Sequence, residues 1–522
     1  MKRPPHKSQP KKRPLRPAAL AAWGALVLFA GLTAIALSNS VEPLPATPDA
    51  QPAQLAVAPA NPAELTPADR GLYVMIDSAQ THHDYAAADQ FIAQLANPRL
   101  VGYALAERYL DGAYKASNAE LTDWLAHYRD HPQAARIAAL AIRRGMNVEA
   151  PKAEQPLRGE GYADHQGKSA MPDSWFTALG HWRSGEYAEA NAIFSKLSSD
   201  ENLSDWQRAE AYFWSYRASE KLNEETAAQT ALAHAAQYRT TFYGLIATAT
   251  LGQRLPTPEA PEVSDSLRND PRAIRAALLS QLSRNDDAED ELRALYSAAP
   301  KADRNGIVTL ASELGLSNLQ MRLARTPGLS DAEQLFAEFP APQYMADLQP
   351  VMDSALVMAV ARNESSFREL AHNPSGAMGV MQMLPATARA LERRIGPQLL
   401  TADATTSNTP LAERLNDPAM SARYGAQYLK LLTEEPAIGH NLIHLLVGYN
   451  AGPGTVASWK AAARNVNDPL LYIESIPYAE TRNYVMQVSA QYWVYQRMMD
   501  ETPQSLLDLS KGQWPELRKH GA

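Results

Sequence analysis

The chain has 522 residues, no cysteine and a formal net charge of −8, from 49 basic and 57 acidic side chains. This length has room for several domains. The lack of cysteine excludes disulfides, a thiolate nucleophile, cysteine–zinc sites and a cysteine-linked lipid anchor. The first 40 residues hold seven basic groups and no acidic one, so the remainder carries a net charge of −15 and is a poor binder of nucleic acid.

Residues 1–40 are typical of a membrane-targeting segment. A basic start leads into an apolar run at residues 18–37, and Ser38-Asn39-Ser40 supplies small residues for cleavage. A run of this length is also long enough to cross a bilayer as a helix. A cleaved signal peptide and a retained inner-membrane anchor both stay open as alternatives. In either case we expect the body to be exported, with the basic end left in the cytoplasm.

Residues 41–65 are rich in proline and alanine, which predicts an extended tether without a packed core. Residues 66–340 have the pattern of successive helices separated by short turns. Within them, residues 185–194 (GEYAEANAIF) have the glycine, aromatic and alanine spacing of a helical-hairpin repeat, and residues 83–91 echo it. This pattern predicts an α-superhelix, which is either a curved binding surface or a scaffold whose aromatic residues are core.

Residues 341–522 differ from residues 66–340, because motifs with glycine and asparagine interrupt the helical pattern. The interruptions read NPSGAMGVMQMLP, GYNAGPG and IPYAETRNYV. Such motifs form loops and helix ends that carry functional side chains. The sequence therefore predicts an all-α protein whose site lies in this last region.

A carboxylate at the end of an apolar helical stretch, Glu364, is the first candidate for that site. On a helical wheel it shares one quadrant with Leu356, Val360 and Phe367, which places it on the buried arc. Burial disfavours the charged form of a carboxyl and raises its pKa. A carboxylic acid that stays protonated near neutral pH is suited to general acid catalysis.

Other interpretations of this region are less well supported. Glu364 at a helix end is also compatible with a half-exposed side chain paired with Arg362 or Arg368. His440 and His444 have the i,i+4 spacing of metal ligands, but no acidic partner completes the set, so no metal site is predicted. No glycine-flanked serine supports a Ser-His-Asp triad.

Cleavage of a glycosidic bond fits the residues better. That reaction needs an acid for the leaving oxygen and often a second carboxylate. Glu369, Asp417 and Glu480 are candidates by position, but no pattern singles out one of them. A single protonated acid together with the amides of Gln382 and Asn450 favours a route in which the substrate supplies its own nucleophile.

Residues 341–522 resemble the catalytic domain of soluble lytic murein transglycosylases, which are related in fold to goose-type lysozyme. Four motifs carry the resemblance in order: ES at 364–365, GVMQMLP at 379–385, GYNAGPG at 448–454 and ETRNYV at 480–485. The upstream helices, with TFYGLIA at 241–247, resemble the superhelix of the large members. The resemblance thus implies an N-terminal α-superhelix of helical hairpins followed by a lysozyme-like catalytic domain.

The resemblance implies a periplasmic enzyme that cleaves the β-1,4 bond between N-acetylmuramic acid and N-acetylglucosamine in peptidoglycan glycan strands, without a cofactor. Glu364 matches the single acid/base of the family. It protonates the bridging oxygen while the N-acetyl group assists at the anomeric carbon. It then takes the proton of the muramyl 6-hydroxyl, which closes a 1,6-anhydro ring.

The resemblance also implies substrate-binding residues, namely Asn373, Gln382, Tyr449, Asn450 and Glu480. Gln382 matches an amide that holds acetamido groups, and Asn373 stands where a serine is frequent. Tyr449 matches a tyrosine close to the catalytic glutamate, and Asn450 follows it in the same motif. Glu480 matches a glutamate that contacts the muropeptide.

Departures from the family pattern affect subsite preference more than reaction type. Besides Asn373, Leu384 stands where a methionine is common, Gly448 replaces a usual alanine, Ser421 replaces a frequent asparagine, and residues 401–410 form an inserted segment. Two rival functions remain. One is a muramidase that uses water and leaves reducing ends. The other is a non-catalytic cell-wall scaffold.

Overall fold

A computed structural model describes residues 63–149, 151, 170–254, 257–348, 351–396, 409–463 and 466–517. The chain divides into two units, Met1–Ala58 and Pro59–Ala522, and all described residues lie in the second. The predicted targeting segment at 1–40 and almost all of the predicted tether at 41–65 lie outside the described residues. Among the residues described, no helix is both long and apolar enough to cross a membrane.

The described residues form α-helices and one 3-10 helix, with isolated β-bridges and no β-strand, which confirms the predicted all-α class. The N-terminal region consists of α1 (Pro67–Thr81), α2 (Tyr85–Ile92), α3 (Val101–Leu110), α4 (Asn118–His127), α5 (Ala134–Arg143), α6 (Asp173–Ser184), α7 (Tyr187–Ser198), α8 (Asp205–Leu222), α9 (Glu225–Ala235), α10 (Phe242–Thr250), α11 (Asp265–Arg268), α12 (Pro271–Ser280), α13 (Asn285–Ala298), α14 (Gly306–Glu313), α15 (Ser317–Leu323) and α16 (Asp331–Glu338). The C-terminal region consists of the 3-10 helix (Gln343–Leu348), α17 (Ser354–Ser365), α18 (Pro385–Ile395), α19 (Leu411–Asn416), α20 (Pro418–Thr433), α21 (Leu442–Ala451), α22 (Pro453–Ala462), α23 (Pro469–Glu474), α24 (Ala479–Met498) and α25 (Gln504–Ser510).

The predicted hairpin repeat at residues 185–194 begins at the turn between α6 and α7 and continues into α7, which packs against α6 and α8. Gly185 ends α6 with a φ of 80°, a left-handed conformation that glycine adopts at little cost. The rings of Trp182 and Trp214 meet edge to face with centroids 5.0 Å apart, and Phe194 is fully buried beside them. These aromatic side chains are therefore core, as the scaffold alternative predicts.

One hydrophobic core runs from the hairpins into the C-terminal region. Phe242 of α10 stacks on Trp493 of α24 with ring centroids 5.2 Å apart, and both side chains are fully buried. Helix α17 packs against α24, α20 and the 3-10 helix. The predicted domain division at residues 340 and 341 stays a prediction, because this core crosses it.

Candidate active site

Helix α17 begins directly after Asp353. The side chain of Asp353 accepts a hydrogen bond from the Ala355 amide at 2.9 Å, which caps the helix. Its second oxygen accepts from the Tyr492 hydroxyl of α24 at 2.6 Å, so the cap is also tied to the packing partner. Leu356 and Val360 are fully buried, but so are nearly all their neighbours. The helix is therefore buried on every side rather than along one arc.

The end of α17 differs from the helical wheel. The helix stops at Ser365, and Ser366 and Phe367 both have left-handed backbones, with φ of 52° and 59°. Such a conformation is uncommon for a bulky residue such as phenylalanine and costs about 1 kcal/mol or more per residue. Phe367 is buried, but its place on the wheel was wrong because it lies beyond the helix.

Glu364 lies in the last turn of α17, half-buried. Burial raises the pKa of its carboxyl to about 7, since the charged form loses its hydration. The Tyr484 hydroxyl opposes this rise, and the negative charge of Glu480 adds to it. The side chain is thus a weak acid that holds its proton near neutral pH.

Two tyrosines accompany this carboxyl. The rings of Tyr449 and Tyr484 lie nearly parallel, with an interplanar angle of 7° and centroids 6.4 Å apart. Burial and the nearby charge of Glu364 raise the pKa of both hydroxyls, which therefore stay protonated as donors. The Tyr484 hydroxyl faces Glu364 but does not reach the geometry of a full hydrogen bond. Catalytic hydrogen bonds are often long before substrate binds.

The alternative ion pairs of Glu364 do not form. Arg362 is buried on another side of α17, where its Nε donates to the Glu338 carbonyl at 2.9 Å. Arg368 donates from its Nε to the Ser365 carbonyl at 3.0 Å. A half-exposed glutamate paired with either arginine is therefore excluded.

The loop between α17 and α18 is held by residues from three other motifs or helices. Ser365 donates to the Val380 carbonyl at 2.8 Å, and Tyr449 of α21 donates to the Met381 carbonyl at 2.9 Å. The Met381 amide donates to Ser421 of α20 at 3.3 Å. These bonds bring the ES, GVMQMLP and GYNAGPG motifs together around Glu364.

Close packing explains two glycines of these motifs. Gly379 has a φ of 73°, and a Cβ there would lie 1.8 Å from the Leu415 carbonyl oxygen, so no other residue fits. A Cβ at Gly448 would lie 2.6 Å from Cδ1 of Ile438. Glycine at 448 therefore leaves room for the side chain of Ile438.

Gln382 lies in the loop with a φ of 45°, half-buried. Its Nε2 donates to the carbonyls of Ala371 and Gly379, both at 3.0 Å. The amide nitrogen is therefore used inside the loop. The side-chain oxygen is the atom that the structure leaves to accept a hydrogen bond from a ligand.

Asn373 is exposed and closes a tight turn of the same loop. Its Oδ1 accepts from the Ala377 amide at 3.0 Å, and its carbonyl accepts from the Gly376 amide at 3.0 Å. The predicted contact of Asn373 with substrate stays a prediction.

Asn450 and Glu480 lie where α21 meets α24. Asn450 accepts a hydrogen bond from the buried Thr481 hydroxyl at 2.7 Å, which links the third motif to the fourth. Glu480 is exposed one residue earlier, and its charge acts on Glu364. Glu480 makes no ion pair with Arg482, whose Nη1 donates to the Ile476 carbonyl.

The other candidate carboxylates have structural partners. Glu369 accepts from Asn285 of α13 at 2.9 Å, and Asp417 caps α20 by accepting from the Met420 amide at 2.7 Å. Of the three, Glu480 is the one that perturbs the pKa of Glu364. No group of three or more histidine, aspartate or glutamate side chains in the described part of the chain is arranged to hold a metal ion.

The sequence analysis did not single out Tyr484 or the role of Ser365. Tyr484 follows Glu480 by four positions on α24, so both side chains face the same side of that helix. This i,i+4 spacing was available in the sequence. The bond of Ser365 to the Val380 carbonyl was not, because it depends on how the loop folds back.

Known structures share this fold. The chain is similar to the crystal structure of the 70 kDa soluble lytic transglycosylase Slt70 from Escherichia coli, with a TM-score of 0.61 and 16% identity over 86% of this chain and 99% of that one. It is also similar to an inactive mutant of the lytic transglycosylase Slt from Pseudomonas aeruginosa, with a TM-score of 0.50 and 20% identity over 86% of this chain and 70% of that one. The fold is thus an α-superhelix joined to a lysozyme-like domain, as predicted.

Sequence comparison relates the C-terminal region to a known domain family. Residues 343–471 match the family model of the transglycosylase SLT domain. The chain is also 27% identical over 271 residues to the soluble lytic murein transglycosylase of Escherichia coli (strain K12). That alignment covers 50% of this chain and 40% of the relative, so the chain spans less than half of the relative's length.

Proposed function

We propose that this chain is a periplasmic lytic transglycosylase that cleaves the β-1,4 bond between N-acetylmuramic acid and N-acetylglucosamine of peptidoglycan. The observation that carries the proposal is Glu364, whose pKa burial raises to about 7 among the SLT motifs. The match of residues 343–471 to the SLT domain and the similarity to an Escherichia coli murein transglycosylase support it.

The proposed reaction uses one carboxyl twice. Protonated Glu364 gives its proton to the bridging oxygen as the bond from that oxygen to the muramyl C1 breaks, and the N-acetyl carbonyl oxygen assists at C1. The carboxylate of Glu364 then takes the proton of the muramyl 6-hydroxyl while that oxygen bonds to C1. The product ends in a 1,6-anhydro ring, Glu364 is protonated again, and no water is consumed.

The neighbours of Glu364 have roles that follow from their hydrogen-bonding atoms. Tyr484 and Tyr449 stay protonated, and Tyr484 donates to the carboxylate that exists between the two steps. Gln382 accepts from an acetamido N–H through its oxygen, because its nitrogen is bonded within the loop. Asn373 and the exposed Glu480 contact the glycan or its peptide stem at the rim.

The test is digestion of purified sacculi by the wild-type chain and by Glu364→Gln, with the product ends identified by mass spectrometry. We expect 1,6-anhydro ends from the wild type, and turnover lower by about 10²–10⁴-fold in the variant, which keeps the shape of the side chain but cannot transfer a proton. The exposed Glu413 supplies a matched control, since Glu413→Gln should leave turnover unchanged.

Two results would contradict the proposal. Products with reducing ends would indicate a muramidase that uses water, with Glu480 as the carboxylate placed to activate it. Binding of sacculi without any cleavage by the wild type would indicate a non-catalytic scaffold. Retained turnover in Glu364→Gln would remove the mechanism, whichever product forms.

A further inference from the structure

A pair of acidic side chains outside the site is buried where the superhelix meets the C-terminal helices. Glu210 of α8 and Glu474 of α23 are 7% and 3% exposed, and their carboxyl groups lie against each other. Burial, followed by the charge of Glu474, raises the pKa of Glu210, and burial raises that of Glu474. Neither side chain belongs to the site around Glu364.

The groups that surround this pair come from four helices. Tyr243 of α10 donates to Glu474 Oε1 at 2.5 Å and accepts from the indole N–H of Trp214, on α8, at 3.1 Å. Arg482 of α24 is the cation that acts on both carboxyls, and the indole of Trp175 on α6 also lies against Glu474. Tyr243 and Arg482 are thus the titratable or charged groups that face the pair.

The hydrogen bonding of the pair requires a proton. Glu210 Oε1 and Glu474 Oε2 are buried without a well-formed hydrogen bond. The unpaired indole N–H of Trp175 faces Glu474, whereas Glu474 is the group that meets the carboxyl of Glu210. Ionised carboxylates only accept hydrogen bonds, and two of them buried together repel. One carboxyl of the pair therefore keeps a proton and donates it to the other, and the single negative charge that remains matches the charge of Arg482.

Arg482 connects this pair to the site. Glu480 and Tyr484 lie on one side of α24, and Arg482, two residues from each, projects from the opposite side. Its Nη1 donates to the Ile476 carbonyl at 3.1 Å, and its guanidinium lies 5.7 Å from the centre of the Phe176 ring of α6. The first turn of α24 is thus held by the superhelix on one side and faces Glu364 on the other.

We infer that Glu210 and Glu474, joined by a shared proton, are positioning residues that orient the first turn of α24 and with it Glu480 and Tyr484. This inference rests on the proposed transglycosylase function and adds the superhelix to its machinery. Loss of the shared proton leaves two negative charges against the single positive charge of Arg482, and loss of one carboxyl leaves the other without its hydrogen-bond partner. The first turn of α24 then moves relative to Glu364.

The test compares full-length Glu210→Ala and Glu210→Gln on purified sacculi. Glu210→Ala removes the partner of Glu474, and we expect kcat to fall by about 10–100-fold with little change in KM, since misplaced groups slow the chemical step. Glu210→Gln keeps an N–H donor for the Glu474 carboxylate, and we expect it to restore kcat to within about twofold of the wild type.

The matched control is Glu291→Ala, in the superhelix away from α24. Glu291 is also a fully buried carboxyl, and it is bonded to Arg275 at 2.5 Å and to Tyr103 at 2.8 Å. Like Glu210→Ala, Glu291→Ala takes a buried carboxyl away from its hydrogen-bonding partners, so it also destabilises the fold. At temperatures where each variant is folded by circular dichroism, we expect Glu291→Ala to keep kcat within about twofold of the wild type.

A second measurement does not depend on turnover. Hydrogen–deuterium exchange of residues 478–484 should be faster in Glu210→Ala than in the wild type and unchanged in Glu291→Ala. If Glu210→Ala does not fold, Tyr243→Phe removes only the hydroxyl that donates to Glu474, and it should speed the same exchange.

The outcomes separate the two proposals. Equal kcat in Glu210→Ala and Glu291→Ala, or failure of Glu210→Gln to restore it, would overturn the positioning role. If the wild type does not cleave sacculi, the proposed function fails, and the positioning role is then decided by the exchange of residues 478–484. Exchange that is the same in all the variants would overturn it.

Discussion

Glu364 makes the fold sensitive to alkaline pH. Its pKa of about 7 in the folded chain lies above the ordinary value of 4.5, so the folded state binds this proton more tightly than the unfolded state. The stability contributed by that proton is fully present below pH 4.5 and is lost as the pH rises through 7. A residue suited to acid catalysis is therefore a source of instability once it is ionised.

The stability of Glu364→Gln should lack the loss that ionisation of Glu364 causes in the wild type. Glutamine stays neutral, so we expect the variant to unfold with a larger free energy than the wild type above pH 7, by up to about 3 kcal/mol. The difference should shrink below pH 4.5. Urea denaturation across this pH range measures it, with Glu413→Gln as the exposed control. A variant less stable than the wild type at pH 8 would contradict the buried position of the carboxyl.

The alkaline limb of the pH–rate profile should respond to the two neighbours of Glu364 in opposite directions. Glu480 raises the pKa of Glu364, so Glu480→Gln should lower that pKa and move the limb to lower pH, by roughly half a unit. The Tyr484 hydroxyl lowers the pKa, so Tyr484→Phe should move the limb to higher pH. The profile of kcat/KM on soluble glycan strands measures both. Shifts of the same sign would show that a different group titrates.

At the scale of the element, short-range rules account for helix starts but not for the loop that surrounds the acid. Asp353 was recognisable as a cap because a short acidic residue precedes an apolar helix. The bond between Tyr449 and the Met381 carbonyl joins residues 68 positions apart, and no local pattern encodes it. Gln382 was predicted as a substrate-binding residue from the family motif, but the motif does not indicate that its nitrogen is bonded within the loop.

Ser365 illustrates how α17 holds that loop. Ser365→Ala removes a buried donor to the Val380 carbonyl, and we expect a loss of about 1–2 kcal/mol in the free energy of unfolding. The turnover should also fall, because the loop that carries Gln382 is less firmly held. Urea denaturation and initial rates on sacculi measure the two effects.

The control for this variant is Ser297→Ala on α13. Like Ser365, Ser297 donates its hydroxyl to a backbone carbonyl. That carbonyl is the one of Arg293 in the same helix, at 3.1 Å, and Ser297 is exposed. Its replacement should change the free energy of unfolding by less than about 0.5 kcal/mol. If the two variants lose equal stability, the Ser365 bond does not anchor the loop.

At the scale of the whole molecule, the superhelix and the C-terminal region share one core, and this was beyond prediction from the sequence. The hairpin repeats and the four motifs of the C-terminal region indicate two kinds of structure, with a change near residue 340. Neither pattern indicates that Phe242 of α10 stacks on Trp493 of α24. Which aromatic faces meet is decided by the packing of distant helices, and the sequence carries no periodic signal for it.

Phe242→Ala should therefore weaken both regions together. Truncation of a fully buried phenylalanine costs about 3–5 kcal/mol, and the resulting cavity lies between the superhelix and α24. We expect Trp493 fluorescence, far-UV circular dichroism and turnover to be lost in one transition at a lower temperature. Leu121→Ala, in the separate core of α3–α5, should lower stability without changing the turnover of the folded protein. Two separate transitions in Phe242→Ala would indicate independent domains.

The close approach between Gly448 and Ile438 makes these two positions epistatic. The methyl group that Gly448 lacks and the δ-methyl of Ile438 compete for the same space. An alanine at 448 therefore requires the end of the Ile438 side chain to shift, and a smaller residue at 438 relieves that contact on the helix that carries Tyr449. The effects of substitutions at 448 and 438 on the free energy of unfolding should therefore not add.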